Sequence, residues 1–387
     1  MTRRWEFDAL RGLMLVLMTL THLPTRVSDP AGQPFGWVSA AEGFVFLSAF
    51  MVGMIYSDVA LKRGIGAMWR AFEARALTVY LCQIGLLALL FTVIAAIGVK
   101  GHQPAITDMV NFLLEAPGLA LPASLVLLYN PPLLDILPMY VLFMLASPWV
   151  MLQGLRRGWL GLMIGSTLLW AAAQFGLGAM AYDAVARFTG IAVPFDQTGA
   201  FDLPAWQFLW MLGLALGAGG IASGREQFGR PRFPRWWLRT ALGVALIGLG
   251  WRHWRGQAPF EHWQHLNVLL DKWHLGPLRL INFFALLTLA LHYGPAIVAR
   301  LPRMRFLEVL GAASLPVFCA HLVVVLLSLA VLGPPAPERP AWMDAALLAG
   351  TFAVLYAVAT VAQLGTDGVV ALWARWRPAE PVSGSAR

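Results

Sequence analysis

The chain has 387 residues, 59% of them hydrophobic and only 12% charged, with a net charge of +8 and a mean hydropathy of +0.67. A soluble domain carries about 25% charged residues, so the composition excludes a soluble enzyme and leaves a polytopic membrane protein. Two cysteines inside apolar stretches, no phosphate-cradling glycine-rich loop and no cluster with metal-ligand spacing argue against a disulfide framework, a nucleotide-binding loop and a metal centre.

Apolar stretches recur at 9–24, 43–57, 75–98, 132–153, 159–179, 203–222, 236–251, 278–298, 306–332 and 342–363, most of them near the roughly 20 residues a tilted helix needs to cross a bilayer. The first, second and seventh are short, and their ends extend to the flanking tryptophans Trp5, Trp37 and Trp251. The pattern predicts an all-α, polytopic integral membrane protein with about ten transmembrane helices. Residues 1–377 read as a single transmembrane domain, and the Pro/Ser/Gly-rich segment 378–387 as a disordered cytoplasmic tail.

Lysines and arginines in short loops set orientation. With the N-terminus in the cytoplasm, nineteen fall on inner segments, among them Arg225, Arg230, Arg232, Arg235 and Arg239 of the third inner loop. Seven fall outside: Arg26, Lys100, Arg187, Arg252, Arg255, Lys272 and Arg339. Both termini are therefore expected in the cytoplasm, and the positive charge reads as topological bias and contact with anionic membrane lipid, with no nucleic-acid partner. Arg3-Arg4 ahead of an apolar run has the look of a twin-arginine leader. Asp8 and Arg11 interrupt that run, however, and no small-residue cleavage site follows Leu20, so it is read as the first span.

A charged side chain within a span costs about 2.5–3.5 kcal/mol on insertion scales, so Asp8, Arg11, His22 and Glu42 are expected to face one another or a water-filled cavity. A plainer alternative pairs Asp8 with Arg11, three residues apart on one helix, at the membrane surface. At 1.5 Å per residue His22 lies about 21 Å beyond Asp8, towards the outer face. The second span returns inward from Glu42, a candidate partner for His22. His321 falls roughly 22 Å along the ninth span, Arg279 sits near the outer start of the eighth, and Asp135 holds a comparable position in the fourth. Polar groups from several spans at one depth predict one site in the outer half of the membrane. For His321 the alternative is a satisfied core histidine between packed helices.

A histidine there is suited to abstract a proton from an alcohol, its ordinary pKa being about 6.5. Glu42, or Asp135, could fix its tautomer and stabilise the imidazolium. No G-x-S-x-G elbow is present, and Cys319, two residues before His321, points to a different helix face, so an acyl-enzyme on cysteine would need another histidine. His262 and His265, with His253 and His274 nearby, read as solvated loop histidines. At the inner face Arg70 and Arg75 stand at the mouth of the third span. They serve either as topology signals or as ligands for the phosphates of a nucleotide carrier.

Several motifs carry a resemblance. Phe7-Asp-Ala-Leu-Arg-Gly, His22 eleven residues after Arg11, and Glu42-Gly-Phe-Val-Phe-Leu-Ser open the chain. The run Arg70 to Tyr80, Leu134-Asp-Ile-Leu-Pro-Met-Tyr, Gly276-Pro-Leu-Arg-Leu and Leu310-Gly-Ala-Ala-Ser-Leu-Pro-Val-Phe-Cys-Ala-His follow in order. Together they resemble the membrane-bound acyltransferase-three superfamily, most closely its OpgC branch. One departure is Ala49, where the superfamily usually has glycine after the serine. The resemblance implies ten helices in a bacterial inner membrane and transfer of an acyl group from cytoplasmic acyl-CoA to a hydroxyl of an extracytoplasmic glycan. For the OpgC branch it implies succinyl-CoA as donor substrate, with no tightly bound cofactor, and osmoregulated periplasmic glucan as acceptor, with association with the glucan synthesis machinery a further implied partner. Carried over by position, His22 is the general base and Glu42 its orienter. Arg70 and Arg75 are associated with the donor, and Arg11 with Asp8 supports the inner end of its path. Position and charge further make Arg279 a candidate to hold the free carboxylate of a succinyl group. Two other readings stay open: O-acylation of a different surface glycan with acetyl or another acyl group, and a solute transporter using the same polar groups, although no repeat between halves is evident.

Overall fold

In lipid, every backbone N–H and C=O must be paired within its own segment or in a closed barrel. A computed structural model describes residues 4–222, 233–260, 262–336 and 338–375, and all regular structure among them is helical. The N-terminal part comprises α1 (Trp5–His22), the short α2 (Ser28–Gly32), α3 (Ala40–Arg63) and α4 (Ile65–Leu89), which continues through a π-helical turn, Leu90–Ile94, into α5 (Ala95–Lys100). Three short helices, α6 (Pro104–Met109), α7 (Asn111–Glu115) and α8 (Pro117–Leu125), lead to α9 (Ile136–Arg157) and then to α10 (Leu160–Ala173) and α11 (Leu177–Thr189). The remainder comprises α12 (Leu203–Ala222), α13 (Arg235–Arg255), α14 (Pro277–Val298), α15 (Arg305–Ala312), α16 (Ser314–Leu332) and α17 (Ala341–Arg375).

Each of the ten apolar stretches overlaps a helix or a broken helix. By length and hydropathy six helices qualify as membrane spans: α3, the continuous Ile65–Lys100, α9, α14, α16 and α17 as far as Gly365. A seventh is added if α10 and α11, bent by 82° at their junction, count as one span. The stretches in α1, α12 and α13 fall outside this set. α1 carries Glu6, Asp8 and Arg11, and α13 carries Arg235, Arg239, Arg252 and Arg255, so neither is uniformly apolar. Large apolar side chains stand exposed on the outside, Phe188 at 91% and Leu160 at 77%, which is the surface a lipid-facing helix presents. Arg225, Arg230 and Arg232 and the tail 378–387 lie outside the described residues.

Small residues let the helices approach closely. A Cβ on Gly311 of α15 would lie 1.8 Å from the Asp8 carbonyl oxygen, and one on Gly12 of α1 would lie 2.0 Å from that of Leu307. The longest contact, α3 against α12, works the same way: a Cβ on Gly217 would meet the Phe50 carbonyl oxygen at 2.1 Å. Here the departure at Ala49 finds its physical reason. Its methyl faces Gly213, where an added Cβ would come within 2.7 Å of it, so the glycine this contact needs is supplied by the partner helix.

The loop after α1 is tied down by arginines. Arg339 donates to the carbonyl oxygen of Pro24, and through Nη2 to those of Leu332 at 2.9 Å and Pro334 at 3.1 Å. It also lies 3.7 Å from Asp344, whose other oxygen accepts from the Arg26 backbone N–H at 3.2 Å. Arg252 of α13 donates through Nε to Gln33 at 2.7 Å, and Asn282 of α14 accepts from the Trp37 backbone N–H at 2.8 Å. The segment between α1 and α3 is thus held from three other parts of the chain.

Candidate active site

The residue before a proline is pushed to extended backbone. Leu23, ahead of Pro24, has ψ 136° and ends α1 directly after His22, which leaves the imidazole on the last turn. Two turns into α16, His321 is fully buried. Its Nδ1 lies 2.7 Å from the Phe318 carbonyl oxygen, which can only accept, so Nδ1 carries the proton and Nε2 is left as an acceptor. The Nδ1 of His22 sits 3.2 Å from that Nε2, with the rings stacked at 18°. His22 therefore donates from Nδ1, and its own Nε2 is left with a lone pair. A main-chain carbonyl thus sets the tautomer of two histidines in series.

Glu42 is not the partner of His22. The sequence Ser39-x-x-Glu42 forms a capping box at the start of α3, with the Glu42 carboxylate accepting from the Ser39 backbone N–H at 3.0 Å and from its hydroxyl. Its other oxygen accepts from Nε of Arg279, on the first turn of α14. Arg279 also donates from Nη1 to the Leu270 carbonyl oxygen at 3.4 Å, while Nη2 has no partner. The orienting role expected of Glu42 is not seen in its contacts: its two oxygens accept from a helix cap and an arginine, and the group beside His22 is His321. Likewise Arg279 meets Glu42, with 1% and 0% of the two side chains exposed, so its charge is already balanced within the protein.

Asp135 is also used structurally. Its carboxylate accepts from the Ala200 backbone N–H at 2.9 Å and pins the loop after α11 to the start of α9. At the other end of α1, Arg11 donates to the Ser314 hydroxyl at the start of α16 and from Nη1 to the Met51 sulfur at 3.6 Å. Asp8, 6% exposed, lies where α1 touches α15. The eleven residues from Arg11 to His22 rise about 16 Å and the seven from Ser314 to His321 about 10 Å. The long arginine side chain spans the difference, so α1 and α16 run parallel, joined at both ends.

Arg75 and Arg70 differ. Arg70 is exposed and lies along its own helix near Gly66. Arg75 is half-buried, and its charge acts on Tyr56, Tyr140 and Cys319. Tyr140 also feels Arg11, and its hydroxyl donates to the Phe44 carbonyl oxygen at 3.3 Å. Phe44 stacks on Phe318, whose ring lies 4.9 Å from that of His321. A chain of contacts thus leads from Tyr140 through Phe44 and Phe318 to the histidines, and the charge of Arg75 acts on its first member.

Sequence reasoning missed Tyr140, Ser39 and Lys272. The S-x-x-E spacing was a legible signal for the first turn of α3. Tyr140 closes the motif Leu134-Asp-Ile-Leu-Pro-Met-Tyr, but no spacing along the chain gave it a role. Lys272, counted only among the outer charges, acts electrostatically on His22, Glu42, Arg279 and Asp135.

Helices throughout, six of them long and apolar enough to cross a bilayer, and exposed apolar flanks fit a multi-pass helical membrane protein, with a hydrogen-bonded histidine pair in its core. The model of the family described as OpgC protein matches residues 3–366, nearly the whole chain, and the chain belongs to that family. Membership brings an acyltransferase-type function in glucan modification. No curated protein and no solved structure matches the chain.

Proposed function

We propose that this protein is a transmembrane O-succinyltransferase of the bacterial inner membrane, with about ten spans and both termini cytoplasmic, that moves succinyl from cytoplasmic succinyl-CoA to hydroxyls of osmoregulated periplasmic glucan. The observation that carries the reading is the His22–His321 hydrogen bond at 3.2 Å, which engages Nδ1 of His22 and leaves its Nε2 to act as the base.

In this mechanism His22 Nε2 takes the proton of a glucan hydroxyl as its oxygen attacks the thioester carbonyl carbon. The imidazolium that forms is stabilised by its Nδ1–H bond to neutral His321. The tetrahedral intermediate collapses, the C–S bond breaks, and His22 returns the proton to the departing thiolate, so the histidine ends each cycle as it began. Arg75, with Arg70 further out, attracts the phosphates of the donor at the inner face. Arg11 and Asp8 hold the inner halves of α1, α15 and α16 together along that path. Glu42, Arg279 and Asp135 fix the outer helix ends around the base.

Mass spectrometry of periplasmic glucans tests this reading. Cells lacking the protein should lose the succinyl increment, wild type should restore it, and His22→Ala at equal membrane abundance should not. Unchanged glucans would overturn the proposed acceptor and direct the search to other surface glycans, or to transport if no glycan changes.

A further inference from the structure

The segment between the 3₁₀ turn Gln264–Leu270 and α14 is held by its own main chain. The Trp273 carbonyl oxygen accepts from the Trp206 indole at 2.9 Å and from the Asp202 backbone N–H at 3.1 Å. The His274 carbonyl oxygen accepts from Gln174 at 2.7 Å, and that of Leu275 accepts from the Trp170 indole at 2.9 Å. At the near end the Leu270 carbonyl oxygen faces Arg279. Asp271 is turned to His274, with Oδ2 2.7 Å from Nδ1. Gly276 admits no side chain, since a Cβ there would lie 2.4 Å from the Leu269 carbonyl oxygen.

Lys272 stands in the middle of this fixed segment. Its ammonium lies 4.5 Å from the centre of the Trp273 ring, and among the described residues it makes no ion pair. The flanking acid has been taken by His274 and the nearest arginine by Glu42, which leaves the Lys272 ammonium without a carboxylate in hydrogen-bond contact. Its charge nonetheless acts on His22, the proposed base. Burial holds its pKa below the ordinary lysine value, against the opposing pull of Glu42 and Asp135, which marks an under-solvated charge.

We propose that Lys272 binds the terminal carboxylate of a dicarboxylic acyl group while the thioester end of that group lies at His22, and so selects it over an uncharged acyl group of equal length. This rests on the acyl-transfer reading above. The fixed loop sets the ammonium in advance, so little ordering is lost on binding. Arg279 is less suited, because its side chain is only 1% exposed and its charge is already met by Glu42. The cation over Trp273 also gives the acyl methylenes an aromatic wall beside the charge.

The test is full-length protein in detergent or proteoliposomes, with glucan as acceptor and the CoA thioesters of succinate and of butyrate, its uncharged four-carbon counterpart, as donors. Lys272→Met should lower the ratio of kcat/KM for succinyl over butyryl about 10- to 100-fold, the range of one charge-assisted hydrogen bond. The loss should fall on the donor KM, and Lys272→Arg, which keeps the charge, should restore most of the ratio. An unchanged ratio in Lys272→Met, with wild type active on succinyl-CoA, overturns the role of the lysine alone. A wild-type enzyme that transfers butyryl but not succinyl, or neither, overturns the succinyl reading as well.

Discussion

Glu42 and Arg279 pair inside the protein with almost no surface exposed, one capping α3 and the other starting α14. A buried pair is held by mutual need more than by net gain, because removing one member strands the other's charge. Glu42→Gln or Arg279→Met alone should cost about 3–5 kcal/mol and show as lost membrane abundance and a lower Tm in detergent. The double variant Glu42→Gln/Arg279→Met should recover much of the loss. A double variant as unstable as the sum of the two would refute the pairing as the source of the effect.

For the histidines the expected order of defects is asymmetric. Removing the base with His22→Ala should lower kcat by about 10²–10⁴-fold, the usual range for general-base catalysis. His321→Ala leaves the base but frees its tautomer and removes the acceptor for the imidazolium, so the fall should be smaller and lie in kcat rather than in KM. Steady-state kinetics on both variants decide the matter. A His321→Ala enzyme equal to wild type would reduce His321 to packing.

Two arginines five residues apart should not be equivalent. Arg75 is half-buried and acts on Tyr140, whereas Arg70 is exposed. Arg75→Ala should raise the KM for the acyl-CoA donor about tenfold, as loss of one charge-assisted contact does, and Arg70→Ala should raise it less. Donor titrations at fixed acceptor compare them, and the reverse order would place the phosphates further out than proposed.

The loop that carries Lys272 should loosen with alkali. The Asp271 carboxylate raises the His274 pKa above its ordinary value. Burial pushes the Asp271 carboxyl up, but the hydrogen bonds from His274 outweigh it and hold the carboxyl below the usual range. A raised histidine pKa gives stability that is complete below the unfolded value of 6.5 and is lost as pH rises through the folded value. A lowered carboxylate pKa gives stability present above its unfolded value of 3.8 and lost as pH falls through the folded one. The pair should therefore hold the loop best in weak acid. Hydrogen exchange of residues 270–276 should quicken from pH 6 to pH 8 beyond the intrinsic pH effect, and His274→Ala should remove the extra change.

How far the sequence foretold this arrangement depends on the range of each interaction. Apolar length located every helix that overlaps a predicted stretch, and the helix rise placed His22 and His321 at one depth, where the structure joins them. Counting spans was harder, since α1 and α13 carry charges that a length-and-hydropathy criterion rejects. Partner choice was harder still. In sequence Glu42 read as the partner of His22, whereas its helix cap and Arg279 meet its two oxygens. Lys272 looked like a loop charge because its surroundings come from α1, α3 and the start of α9, and no spacing along the chain records that meeting. Arg279 appeared free for the same reason.

The hydrogen-bond series that begins at His22 ends at the Phe318 carbonyl oxygen, and a peptide carbonyl does not accept a proton at physiological pH. Protons cannot be handed onward through this pair towards the cytoplasm. Whatever His22 takes up it must give back on the same side, to the same pair of reactants. The histidine pair is therefore no proton wire. In the proposed reaction the charge that crosses the bilayer is the carboxylate of the succinyl group itself, so turnover in sealed vesicles should respond to the membrane potential, while the idle protein should not dissipate a proton gradient.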